Sequence, residues 1–160
     1  MSGELTHLDE SGDARMVDVG SKPVTAREAV ATATVRMTPD TATLLADGRL
    51  PKGDAAAVAR VAGIMAAKRT PELIPLCHPI GISGIDVDVD VDAAAGVATI
   101  TARVRTQDRT GVEMEALVAA GVAAFTLYDM IKGVERGAVV DQVRVESKQG
   151  GVHGDWIREP

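Results

Sequence analysis

Aromatic side chains are almost missing from this sequence, with one Trp, one Tyr and one Phe among 160 residues. The core must be filled by Val, Ile, Leu, Met and many Ala, which bury area thinly, so self-association is an expected source of further burial. The same scarcity argues against a sheet that stacks RNA bases. Cysteine is scarce too. The lone Cys77 excludes an internal disulfide, and one thiol beside three His is a poor structural zinc set. No run approaches the roughly 20 apolar residues of a membrane span, and the start lacks the charged-then-apolar pattern of a secretion signal. A soluble, cytoplasmic protein with no membrane partner is expected. Basic residues are outnumbered, 17 Lys and Arg against 23 Asp and Glu, and the net charge of −6 argues against a general nucleic-acid surface. Any bound anion must find a local cluster of bases.

What is present reads as one domain, since the length suits one core better than two. Residues 1–22 are polar and Gly-rich, an expected N-terminal arm; 23–150 form the folded domain; 151–160 are a tail. Thr25 to Met37 carries both a capping-box pattern, "TARE", and a Val/Thr alternation, "VATATV", and the alternation favours a strand. Pro39 opens a short helix ending at Gly48, and Asp54 caps an Ala-rich helix running to about Ala67. "TPELIPLCHP", with prolines at 71, 75 and 79, predicts a stiff extended loop. In "GIDVDVDVD" the residues Ile85, Val87, Val89 and Val91 share one face, and the four Asp share the other. "VATITARVR" returns as its hairpin partner, with Arg103 and Arg105 on the acidic side. A long helix from about Gly111 to Gly133 and a strand from about Val139 to Ser147 complete the order βααββαβ. With the short helix as an insertion, this is a ferredoxin-like α+β sandwich, an antiparallel sheet with helices packed on one face.

Two charges interrupt the long apolar helix. Asp129 and Lys132 are three residues apart, so they project together, and they fall in the arc of Met114, Leu117, Val118, Gly121, Val122 and Phe125. A helix-end ion pair is the plain reading. Against it, an acid near a helix C-terminus opposes the dipole, and partial burial would bring both proton affinities toward neutrality, as acid–base work requires. The opposite side of the helix is scarcely more polar, which predicts a sheet on one side and a second subunit on the other. Glu113 and Glu115 lie in the first turn, where acids are favourable in any helix. "LPKGD" sets Lys52 and Gly53 before a helix N-terminus, an arrangement suited to phosphate oxygens and also an ordinary helix start. Lys148 lies in "SKQGG" at a strand end. His78, between Cys77 and Pro79, can donate to or stack on a ligand or serve as a hydrogen-bonded loop histidine; adjacent extended residues point apart, which disfavours joint metal ligation with Cys77. The Asp row is too widely spaced to share one ion and reads as a solvated face paired with Arg103 and Arg105.

Taken together, "LTHLDESGDARMVDV", "DGRLPKGD", "ARVAGIMAAKRTPELIPLCHPI", "TGVEMEALVAAGVAAFTLYDMIKGV" and "SKQGG" resemble the molybdenum cofactor biosynthesis protein C family, the cyclic pyranopterin monophosphate synthases. The resemblance covers well over half the chain in family order. It implies a lyase that rearranges 3',8-cyclo-7,8-dihydro-GTP into cyclic pyranopterin monophosphate and releases pyrophosphate. It places the catalytic residues on Asp129, Lys132 and Lys52. Substrate contacts fall on Leu76, Cys77, His78, Glu113, Met114 and Glu115, with further basic contacts on Arg27, Lys68 and Lys148. It implies a homohexamer, a trimer of dimers with shared sites, and no required cofactor; Mg2+ is the one metal left open. The competing class is a non-catalytic nucleotide-binding regulatory module, because fold does not fix function.

Overall fold

A computed structural model describes residues 11–152 and 154–159. Residues 1–10 of the expected arm, and positions 153 and 160 of the expected tail, lie outside the described residues. The elements are β1 (Thr25–Arg36), α1 (Pro39–Ala46), α2 (Ala55–Ala67), α3 (Thr70–Leu73), β2 (Ile82–Asp92), β3 (Val97–Asp108), α4 (Glu113–Ile131), β4 (Val139–Gln149) and β5 (Trp156–Ile157). The sheet has the order β2-β3-β1-β4-β5, and every pairing is antiparallel. The expected ferredoxin-like α+β arrangement is the one observed.

Period-2 alternation builds the sheet. Ala29, Ala31, Ala33 and Val35 of β1 and Ala98, Ile100, Ala102 and Val104 of β3 are buried beneath the helices. The other face of the same strands sets Thr32 opposite Thr101 and Thr34 opposite Thr99. The acidic face of β2 is paired as expected in part. Arg105 reaches Asp86 at 2.6 Å, whereas Arg103 crosses to Glu28 of β1, also at 2.6 Å.

Two elements depart from the sequence expectation. The "TPEL" stretch is a short helix, α3, rather than extended chain. Pro71 occupies its first turn, where a missing N–H costs nothing, and the Thr70 hydroxyl donates to the Ala67 carbonyl at 3.0 Å. Beyond β4, the tail returns as the two-residue strand β5, joined at Ser147–Ile157 and Lys148–Trp156.

α4 is the axis of the domain. By length and composition it could cross a membrane, but 56% of its apolar window is buried against the rest of the chain. The sheet lies along one side of it. α2 of the same chain packs beside it, and sheet and α2 together bury the side of Ala116, Ala119, Ala123, Leu127 and Ile131. Met114, Leu117, Val118 and Val122 of the other arc stay only partly buried and form the side open to a second subunit. The crossing is close: a Cβ added at Gly63 would lie 2.8 Å from the Ala119 carbonyl and 3.2 Å from the Ala123 Cβ. Phe125 is left 59% exposed, and Val58, Val61 and Met65 on the outer side of α2 are also exposed.

Candidate active site

The sequence-predicted residues gather at the two ends of α4. At the C-terminal end, Gly53 (φ +92°) turns the chain into α2, whose N-cap Asp54 accepts from the Ala57 amide at 3.0 Å. That turn, anchored by buried Leu50, delivers Lys52 to the end of α4. Lys52 Nζ donates to the Asp129 carbonyl and to Asp129 Oδ2, each at 2.7 Å. Lys132 Nζ meets Asp129 Oδ1 at 2.6 Å. One carboxylate thus bridges two ammonium groups. The backbone contact also satisfies one of the carbonyls left open at a helix C-terminus, so Lys52 offsets the unfavourable placement of Asp129 in the helix dipole.

These three are exposed, with 51% of the side chain open for both Asp129 and Lys132. The anticipated burial, and the drift of both groups toward neutrality, is therefore not what the chain shows. Hydrogen bonds from Lys132 and then Lys52 hold the Asp129 carboxyl down to about 2, and Asp129 pushes Lys132 up. With charged partners so close and little desolvation to oppose them, the charged forms are favoured on both sides.

At the other end, Glu113 and Glu115 leave the first turn of α4 toward the loop after α3. A cavity of about 520 Å³ opens there between Ile74, Leu76, Cys77 and His78 on one wall and Glu113, Met114 and Glu115 on another. Val17, Val19 and Lys22 of the N-terminal segment form a third wall. His78 Nε2 lies 2.7 Å from the Val17 carbonyl, which can only accept, so Nε2 carries the proton and Nδ1 is left toward other partners. Glu115 is only 3% exposed. Burial raises its carboxyl to about 7, with Glu113 adding repulsion, and burial followed by Glu115 raises the Cys77 thiol. The cavity holds a carboxyl poised near neutrality, a protonated thiol and an imidazole.

A smaller cavity of about 210 Å³ adjoins the first, sharing Lys22, Thr110, Gly111 and Glu113, and it is rimmed by Arg27, Arg109 and Lys148. Lys148 pairs with Glu113 at 3.1 Å. Arg27 is engaged with backbone: Nε donates to the Asp108 carbonyl and Nη2 to the Arg109 carbonyl, each at 3.0 Å. A Cβ at Gly151 would meet Arg27 Nη1 at 2.5 Å, and Gly150 and Gly151 both have φ above +80°. The Gly-Gly turn is what lets the chain pass so close to this guanidinium.

Lys68 does not join either group. It lines a separate groove with Ile64, Ile80, Ile82 and Ile85. Lys22 and Arg109 do join, and the sequence reading missed both, Lys22 because it stands in the presumed arm and Arg109 because it belongs to no periodic face. Among the described residues, no group of three or more His, Cys, Asp and Glu is placed to hold a metal ion. From Glu113 to Asp129 is 16 residues of helix, so the two clusters lie about 24 Å apart along α4.

An α+β sandwich with open cavities lined by ionisable groups at one end of its central helix, and an exposed carboxylate held by two lysines at the other, has the features of a protein that takes a small, charged ligand. The family model of the MoaC family matches residues 16–151. The cyclic pyranopterin monophosphate synthase of Chloroflexus aurantiacus is 59% identical over 155 residues, spanning 97% of this chain and 95% of that protein. The synthase of Thermomicrobium roseum is 57% identical over 156 residues (98% and 94%), and that of Streptomyces coelicolor 59% over 154 (96% and 89%). This chain belongs to the MoaC family.

Proposed function

We propose that the protein is a cyclic pyranopterin monophosphate synthase of molybdenum cofactor biosynthesis, converting 3',8-cyclo-7,8-dihydro-GTP into cyclic pyranopterin monophosphate and pyrophosphate. The observation that carries this reading is identity of 57–59% to proteins of that name across nearly the whole chain. The geometry supplies matching chemistry. The cavity around Cys77, His78 and Glu115 is sized for a base and sugar, and Glu115, protonated near neutrality, both donates and accepts at a purine-derived edge. Lys22 and Lys148 supply positive charge for the phosphates. Lys132 and Lys52, fixed by Asp129, carry protons during ring opening and pterin closure and neutralise the charge that grows as pyrophosphate leaves. The reading assigns these protons to side chains and calls on no resident cofactor; Mg2+ enters it only as a companion of the substrate's phosphates.

About 24 Å between the clusters is too far for one small substrate to touch both. The reading therefore places each complete site between two chains, in the soluble, cytoplasmic homohexamer that the resemblance implies, with Phe125 and the apolar face of α2 as surface available for contact. The decisive experiment incubates the pure protein with the cyclised dihydro-GTP and measures pyrophosphate. Turnover by the wild type, and a fall of about 100-fold in folded Asp129→Asn and Lys132→Ala variants, is expected. Tight binding without pyrophosphate release would instead identify a nucleotide-binding regulatory module.

A further inference from the structure

The segment from Val17 to Lys22 walls the larger cavity, yet it contains no helix or strand to hold it there. A turn bond from the Lys22 amide to the Val19 carbonyl, at 3.0 Å, shapes the segment internally. Side chains from elsewhere clasp it at each end. His78 holds the Val17 carbonyl, and Arg109 Nε donates to the Lys22 carbonyl at 3.1 Å. Arg109 is itself fixed through its own carbonyl, which accepts from Arg27. The chain of contacts thus runs from β1 through the β3–α4 loop to the N-terminal segment.

We propose that Arg109 is a positioning residue of the synthase reaction: it holds the backbone at Lys22, and so sets both the cavity wall and the direction of the Lys22 ammonium. The obvious rival is that Arg109 acts by its charge, since it rims the basic cavity. The contact in hand separates the two, because it is made by Nε and not by the terminal nitrogens. Nε lies as many bonds from Cα as the amide nitrogen of glutamine. Arg109→Gln therefore retains a donor at the position of Nε and removes the cation, whereas Arg109→Met retains comparable length and removes both.

The kinetic part of the test rests on the synthase reading; the other part needs no substrate. Hydrogen exchange of ligand-free protein over residues 16–24 should be faster in Arg109→Met and close to wild type in Arg109→Gln. With substrate, Arg109→Met should raise KM about three- to tenfold with kcat little changed, the size expected for one lost hydrogen bond that acts on binding, and Arg109→Gln should recover most of that loss. The side chain of Arg109 is exposed, so neither change threatens the core. Equal KM defects in the Gln and Met variants with unchanged exchange would overturn the proposal in favour of direct charge contact. Unchanged exchange and unchanged KM in Arg109→Met would overturn it outright. Absence of any synthase activity in the wild type would sink the functional reading while leaving the exchange result to decide the clasp.

Discussion

Glu115 and Asp129 stand on one helix and are perturbed in opposite directions, because their surroundings differ. Glu115 sits in an apolar wall and keeps its proton up to about 7, whereas a carboxyl of its kind ordinarily releases it at 4.5. Between those values the native state binds more protons than the unfolded chain, so stability falls as pH rises through this window and levels off above it. Asp129 works the other way: its contribution is present above the ordinary carboxylate range and is lost as pH falls through about 2, and exposure keeps it small and salt-sensitive. Denaturant midpoints measured from pH 4.5 to 7 should therefore decline in the wild type and stay nearly flat over the same range in Glu115→Gln. An equal decline in the variant would assign the effect to another group. Residue types at both sites were legible in the sequence, but their electrostatic state was not. The apolar arc around Asp129 suggested burial, whereas the folded chain leaves it open beside two lysines; nothing in the helical spacing marks Glu115 as the buried acid.

At the scale of elements, the contact that sets the sandwich is the crossing of α2 over α4, and Gly63 is its closest approach. An Ala in a helix is ordinarily worth roughly 0.5–1 kcal/mol over Gly. Here the added Cβ would meet a backbone carbonyl that cannot move without α4, an overpacking that costs about 1–3 kcal/mol. Gly63→Ala is expected to be net destabilising, and chemical denaturation that finds it neutral or stabilising would show that the two helices can separate without penalty. Elements whose pattern is local were readable beforehand. The hairpin of β2 and β3 follows from strict alternation, and β1 prevailed over its capping-box pattern because Ala29, Ala31, Ala33 and Val35 fall on one face of a strand. α3 and β5 were not readable for physical reasons. A proline at the first turn of a helix looks the same in sequence as one that forbids a helix, and a two-residue strand exists only because β4 offers it an edge. The clasp between Arg109 and Lys22 is likewise tertiary, spanning 87 positions that no periodicity relates.

For the whole molecule, the separation of the clusters becomes an argument about assembly. Asp129, Lys52 and Lys132 hold one end of a 19-residue helix, and Glu113 with its partner Lys148 holds the other. A substrate that needs both clusters must bring the first end of one chain to the second end of another. Exposed Phe125, Val58, Val61 and Met65 leave apolar surface in a protein with few large core side chains, and burying it against another copy would add roughly 25 cal/mol for each Å² removed from water. If sites are shared in this way, Asp129→Asn and Lys148→Ala damage different contributions to one site. Each pure variant should be nearly inactive. Mixed under conditions that exchange subunits, they should regain part of the wild-type rate, because some sites then receive the intact first cluster from the Lys148→Ala chain and the intact second cluster from the Asp129→Asn chain. Random pairing caps the recovery at about a quarter of wild type, because an intact site needs one particular pairing of four. Exchanged oligomers verified by native mass measurement but showing no regained activity would place both residues in one chain's site. A monomer with full activity at assay concentration would require a single chain to span about 24 Å of helix, and would exclude the shared arrangement altogether.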